Sequence, residues 1–438
     1  MRRNEFYGRA DNSCLSLLAL ISAVFIMLSC GLLTASPAGR NGAAIQSRPG
    51  PPPYDLLLKG GHVIDPANKV DARMDLAIAS GKIARVAKSI SAAESKKVVD
   101  VAGYFVTPGL IDIHAHVFAG GPDLCVVPDV YALPNGVTTV VDAGSSGWKT
   151  FPEFKEKVID RSTNRVLAFL NIVGAGMMGK IEQDESEMDP AAAVAMIKRF
   201  PDLIVGVKTA HFLKPGWTAV DRAVEAGKLS QTPVMVDFRE VPGRSYEDLL
   251  LKHMRPGDIH THMYAEHIPL LDENGKVQDF ARQARRRGVL FDVGHGNSSF
   301  WFRVAVPALK QGFVPDSIST DYHKRSALLP DAGMLTTMSK FLNLGMPLPE
   351  IVMRSTINPA RQIRRTELGT LSGGAAADVA VLKIENGEFG FVDSGHAKMT
   401  GHRRLQCVLT LFSGKVAWDP NGLSWPDWRR AGKYKVIN

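Results

Sequence analysis

The chain is poor in cysteine, with four in 438 residues. Cys14 and Cys30 lie near the start, so only Cys125 and Cys407 remain beyond residue 53. Two lone thiols build neither a disulfide framework nor a paired-cysteine zinc motif. Any metal site must come from His, Asp, Glu or Lys. Blocks of like charge are also missing. Lys+Arg number 52 and Asp+Glu 44, a net +8. The basic residues are scattered, and the run Arg285-Arg286-Arg287 reads as one solvated helix face, so no nucleic-acid partner is expected. Residues 1–40 hold four Arg against Glu5 and Asp11, leaving the remainder at +6. There is no internal repeat. No Gly-rich dinucleotide turn opens a helix, which weighs against a doubly wound nucleotide-binding sheet. The composition is 45% hydrophobic and 22% charged, which excludes disorder, collagen and coiled coil as the main architecture.

One long apolar run is present, at residues 15–33, behind Arg2, Arg3 and Arg9. Thr34, Ala35, Ser36 and Ala38 supply the small residues that follow a secretory signal, so residues 1–36 read as an export address. Three fates compete. Cleavage after Ala35 or Ala38 gives a periplasmic or secreted protein. Leu28-Ser29-Cys30-Gly31 looks like a lipoprotein site. A run of 19 residues is also long enough to stay as a membrane anchor. Residues 37–53, rich in Pro and Gly, form a linker.

Residues 54–105 and 367–425 carry short apolar runs split by turns, including Ser80-Gly81 and Ser413-Gly414. These two regions are expected to build one small split β-sandwich domain from opposite chain ends. Between them, residues 106–366 alternate buried-strand runs with helical stretches. The strands are read at 105–113, 138–143, 165–173, 203–208, 234–237, 258–262, 289–295 and 317–321. Eight such runs match an α/β fold of the (β/α)8 TIM-barrel type.

Chemistry gathers at the ends of these runs. His114-Ala115-His116 ends the first, and residues i and i+2 of a strand point to one side, so both imidazoles can reach one metal ion. Alone, the pair reads equally well as two ordinary histidines. His260-Thr261-His262 is a second pair of the same kind. Lys208 ends the fourth run after Val205-Gly206-Val207, where an unpaired ammonium is costly to bury. A snorkelling or ion-paired lysine is the bland alternative. His262, His295 and Asp321 end the sixth, seventh and eighth runs. Five polar strand ends at the face where barrels place their sites are hard to attribute to chance.

These residues are also recognisable. Thr107-Pro108-Gly109-Leu110-Ile111-Asp112-Ile113-His114-Ala115-His116 resembles the opening of the amidohydrolase superfamily, as does Lys59-Gly60-Gly61 with Ile64-Asp65. Thr261-His262-Met263-Tyr264, Asp292-Val293-Gly294-His295-Gly296, Ser319-Thr320-Asp321-Tyr322-His323, Thr337-Met338-Ser339-Lys340 and Asn358-Pro359-Ala360 look like its dihydroorotase-like amidohydrolase/deacetylase branch. The resemblance implies a hydrolase with two divalent ions, usually Zn2+. His114 and His116 would hold one ion, and His262 the other. Lys208, carboxylated by CO2, would bridge them. Asp321 would bind the first ion and carry the proton, and His295 matches a position near the substrate. One departure stands out: Asp237 occupies the place of a metal-binding His after the fifth strand. A carboxylate can ligate zinc. A mononuclear site, or an Asp237 paired with Arg239 or another cation, are the alternatives.

The resemblance favours hydrolysis of a linear acyl amide or ester, such as an N-acyl amino acid, by metal-activated water. Cyclic amide hydrolysis is the runner-up. Dihydroorotases carry an Arg two residues after the His pair, and Phe118 stands there in this chain. A non-catalytic binding protein with a degenerate metal site is the third reading. Loops at 174–179 and 323–330 are expected to select the substrate. The oligomeric state is left open.

Overall fold

A computed structural model describes residues 51–328 and 330–433. The export address and residues 37–50 of the linker lie outside the described residues. Among these, no helix is long and apolar enough to cross a membrane.

Five strands open the described chain: β1 (Leu56–Asp65), β2 (Val70–Ala79), β3 (Lys82–Ala87), β4 (Val98–Asp100) and β5 (Phe105–Pro108). Seven follow in the barrel: β6 (Leu110–Ala115), β7 (Val137–Gly147), β8 (Arg165–Asn171), β9 (Ile204–Thr209), β10 (Val234–Val236), β11 (Ile259–His260) and β12 (Leu290–Phe291). Three close the chain: β13 (Val379–Val392), β14 (Lys398–Phe412) and β15 (Lys415–Trp418). The outer strands join across the two chain ends in the order β15-β14-β13-β5-β1-β2-β3, with β4 on β1. Leu58, Val63, Leu76 and Ile78 from one end meet Val379, Val381, Leu409 and Leu411 from the other in one core. Both expected hairpin turns form. Ser80 and Gly81 have φ 50° and 73°, and Ser413 and Gly414 have 48° and 77°. Two successive positive φ values match the twist of a two-residue hairpin.

The barrel strands run parallel in the order β6 to β12. Their residues are buried on both faces, with alternate side chains entering different clusters. In β8, Val166, Ala168 and Leu170 join the larger cluster, while Leu167 and Phe169 join Ile111, Val141 and Ile357 in another. Such two-sided burial is what makes parallel strands read as unbroken apolar runs. Helices between the strands start on ordinary signals. Asp189 caps Pro190–Arg199 by accepting from the amides of Ala191 and Ala192, with Pro190 in the first turn.

Two expected strands differ in detail. The run at 105–113 is divided at Gly109. Before it, β5 pairs with β13; after it, the Leu110 amide donates to Gly136 O and β6 joins β7. The chain thus changes sheets at a residue with no side chain. A Cβ at Gly109 would lie 2.1 Å from Thr138 Oγ1. Gly109→Ala should therefore destabilise the fold by about 1–3 kcal/mol, read as a lower Tm; an unchanged melt would show that the crossing relaxes freely.

The eighth run, 317–321, closes the barrel without a continuous ladder. Single bridges join Asp292 to Ser317 and Ala115 to Tyr322. The Ser319 hydroxyl takes the Gly294 amide at 2.9 Å, while the His295 and Gly296 amides donate to Ser319 O and Thr320 O.

Candidate active site

The C-terminal ends of the barrel strands open into one cavity of about 390 Å³. His114, His116, Lys208, Asp237, His262 and Asp321 all line it. His114 and His116 do point to one side: their Nε2 atoms lie 3.5 and 3.0 Å from Asp321 Oδ1. Lys208 Nζ sits 3.3 Å from His114 Nε2. Asp237 Oδ2 lies 3.6 Å from His262 Nε2. One donor atom each from His114, His262 and Asp321 falls within 4.8 Å of the others.

The histidines are held from behind, leaving Nε2 for the cavity. His114 Nδ1 bonds Thr261 Oγ1 at 2.8 Å, and Thr261 Oγ1 donates to Asp292 at 2.8 Å. Asp292 is fully buried and also accepts from Ser317 and Ser319. His116 Nδ1 bonds Ser145 Oγ at 3.0 Å, and His262 Nδ1 bonds Gly294 O at 2.7 Å. Outer hydrogen bonds of this kind fix ring orientation and tautomer in metal sites. Thr261→Val should weaken divalent-ion affinity about 10- to 100-fold, measured by competition with a chelating dye; unchanged affinity would remove the hydroxyl from the account.

The cavity floor has its charges arranged for a cation. Burial, then Lys208, pushes the His114 imidazolium well below the ordinary histidine range, so the ring is neutral and Nε2 carries a free lone pair. Burial lowers Lys208 as well, though nearby Asp237 and Asp321 oppose it. Burial alone would raise Asp321 and Asp237. In Asp321 the bond from His116 and the charges of His323 and His116 prevail, and in Asp237 those of His262, His211 and Lys208 do. Both carboxyls therefore lie below the usual range. Burial would lower His262, but Asp237 raises it overall. A neutral His114 imidazole, the carboxylates of Asp237 and Asp321 and a buried Lys208 that pairs with no carboxylate among the described residues form a donor set that fits a divalent cation.

Backbone strain gathers here too. His211, His262 and Asp321 have φ of 57°, 63° and 46°, and all three line the cavity. Non-glycine residues rarely adopt this region, and such strain clusters at functional sites. Gly294, at φ 48°, leaves room behind the rings of His262 and His114. A Cβ there would lie 2.3 Å from Thr261 Oγ1 and 2.8 Å from His262 Nδ1.

His295 is not brought to the cavity. It is fully buried, stacked on Phe300 with centroids 4.8 Å apart, and its Nε2 bonds Lys340 Nζ at 2.6 Å. Asp237 pairs with His211 and His262, and with no arginine among the described residues. His260, the other half of the second histidine pair, is a core residue packed edge-on against Phe291. Two cavity histidines, His211 and His267, escaped sequence reasoning, and His323 was read only as part of a loop. His323 Nε2 lies 3.9 Å from Asp321 Oδ2, and its i+2 spacing from Asp321 was the available signal. His211 lies between Asp237 (3.5 Å) and Glu182 (2.9 Å). Burial would lower it, but Glu182 and Asp237 raise it to about 8. His267 also lines the cavity. Both expected selectivity loops contribute, through Met177 and through His323 and Arg325.

No family model matches the chain. It is similar to a deacetylase of Agrobacterium fabrum, with 33% identity over 72% of this chain and 79% of that one. A deacetylase of Enterococcus faecalis is 32% identical over 83% of this chain and 99% of its own length. A crystal structure of an adenine deaminase superposes with a TM-score of 0.77 at 32% identity, covering 84% of this chain and all of that one. With these relatives, its barrel and its His/Asp cavity, the chain belongs to the amidohydrolase superfamily, hydrolases of C–N bonds, in the branch that holds deacetylases.

Proposed function

We propose that this protein is an exported deacetylase-type hydrolase that cleaves a linear acyl amide or ester with the help of two divalent ions, zinc by preference. What supports the reading is the convergence of His114, His116, Lys208, Asp237, His262 and Asp321 on one cavity. Members of the superfamily use divalent metals. His114, His116 and Asp321 would hold one ion, and His262 with Asp237 the other. Lys208 would join both sets once its ammonium loses a proton and the resulting amine adds to CO2 with loss of a second, which turns a buried cation into a carboxylate donor. When bound, the ions supply an activated water and polarise the substrate carbonyl.

The chain's own groups do the rest. Asp321 takes the proton of the attacking water and returns it to the leaving nitrogen or oxygen. Its Oδ1 lies on the side of His114 and His116, at 3.5 and 3.0 Å, where the ion would be held, so Oδ2, which faces His323 at 3.9 Å, is the freer atom for that transfer. His211, itself bonded to Glu182, faces Asp237 from the side. Dihydroorotate fits less well. Phe118 is buried against Phe154 at 5.0 Å, so the place where dihydroorotases carry a substrate-binding Arg offers no cation. Export rests on residues 1–36 alone.

The test is an assay of the metal-loaded protein on N-acetyl amino acids of both hands, acetyl esters, hydantoins and dihydroorotate. Turnover of linear substrates is expected, and turnover confined to the rings would overturn the reading.

A further inference from the structure

One exposed feature of the split β domain has no part in the cavity. After β15 the chain runs on as an irregular segment, 419–433, pinned to that domain. Asp419 accepts from the amides of Leu423 and Ser424, both at 2.8 Å, and Leu423 packs on the core shared by the two chain ends. Beyond Ser424 the side chains face outward. Trp425 and Trp428 are 68% and 69% exposed, although an aromatic side chain of that size is ordinarily well covered. Arg429, Arg430 and Lys433 beside them are exposed as well. Arg429 lies over the Trp428 ring at 5.4 Å, and Lys97 over the Trp425 ring at 5.1 Å. Residues 425–435 hold four Lys or Arg against one acid, 4 − 1 = +3. That acid, Asp427, accepts from the Arg429 amide at 2.9 Å.

Indole rings flanked by cations match the headgroup layer of an anionic bilayer. Tryptophan concentrates at that boundary, and Lys and Arg are drawn to its charge. The place where the chain enters the domain points the same way. The Tyr54 amide donates to Glu94 O at 3.0 Å, and the Lys96 amide to Tyr54 O at 2.9 Å. Lys97, the next residue, is the one that reaches Trp425. The apolar run 15–33 is separated from Pro51 by residues 34–50, 17 in number. A flexible chain of that length spans about 20–25 Å on average, close to the radius of gyration of a folded chain of this size, about 21 Å. An apolar run seated in a bilayer would hold the face bearing Tyr54 and Trp425 nearest the lipid.

We infer that Trp425, Trp428, Arg429 and Arg430 form a docking surface for an anionic phospholipid bilayer. This goes beyond the hydrolase reading and rests on only one part of it, the export address.

Residues 1–50 contain no tryptophan, so insertion of the apolar run and docking of this face can be read apart. The full chain is mixed with vesicles of phosphatidylcholine, alone or mixed with phosphatidylglycerol, both with brominated acyl chains. Flotation reports attachment, and quenching of tryptophan fluorescence reports docking. Quenching is expected on the mixed vesicles and far less on the neutral ones. Trp425→Phe with Trp428→Phe should remove it. Arg429→Gln with Arg430→Gln should lower the docking constant about tenfold or more, since each cation near an anionic surface contributes about fivefold. Salt near 1 M, where the Debye length falls to about 3 Å, should release most of the quenching. No quenching on mixed vesicles, equal quenching on neutral ones, or quenching unchanged in either double variant overturns the inference. Flotation with neutral vesicles, without quenching on either kind, keeps the apolar run as an anchor and removes the surface. Quenching on mixed vesicles by a chain that does not float with neutral ones keeps the surface and removes the anchor. A lipid-free dimer that the double variants dissociate would assign the face to a second copy and overturn docking to lipid. All four side chains are exposed, so a thermal melt matching the parent identifies variants that fold normally.

Discussion

Lys208→Ala should reduce turnover by about 10³-fold or more, because it removes the group expected to join the two halves of the metal site, and a catalytic cation supplies several kcal/mol of transition-state stabilisation. Lys208 is buried at 1% exposure, at the end of β9, with His114 Nε2 as its nearest polar partner at 3.3 Å. As an ammonium it would be held in place by the charges of Asp237 and Asp321. Such a role makes a poor site for a lysine, since desolvating the charge opposes the attraction. Lys208→Met and Lys208→Arg separate the explanations. Methionine keeps the apolar stem, so packing survives; arginine keeps the charge but cannot be carboxylated. Both should lose activity to the same extent as alanine. Full activity in Lys208→Ala, or rescue by arginine, would refute a carboxylated lysine.

Asp321→Asn should lower kcat by about 10²- to 10⁴-fold, the usual contribution of a positioned proton carrier, with KM changed far less. Asparagine preserves the shape and still offers one oxygen on the side of His114 and His116. It cannot take a proton at the position where Oδ2 now lies. Its backbone φ of 46° is tolerated better by asparagine than by most residues, which favours a folded variant. Steady-state kinetics on the best acyl substrate reads the result. A variant with parental kcat would move the proton transfer to another group, with His323 first in line at 3.9 Å.

The sequence made the barrel and the strand-end polar groups legible because both depend on short-range patterns. Buried parallel strands read as apolar runs, and a polar residue ending such a run is visible at once. Lys208 and the pair His114 and His116 were found in that way, and the structure brings all three to one cavity. The hairpin turns at Ser80-Gly81 and Ser413-Gly414 were legible for the same reason. What escaped depends on long-range contacts. The division at Gly109 arises because β13, some 270 residues later, competes for β5. His295 turns from the cavity because Lys340, 45 residues on, offers it a partner. His211 enters the cavity on a left-handed backbone that no local pattern announces, held by Glu182 from an earlier loop.

The most direct test of the central claim is elemental analysis of the purified full chain coupled to activity. The protein is stripped with a chelator, then reloaded with zinc in the presence and absence of bicarbonate, and assayed on N-acetyl amino acids. The stripped protein should be inactive, about two zinc ions should bind per chain with bicarbonate present, and hydrolysis should return with them. A protein that binds no divalent ion and gains no activity on reloading would contradict it.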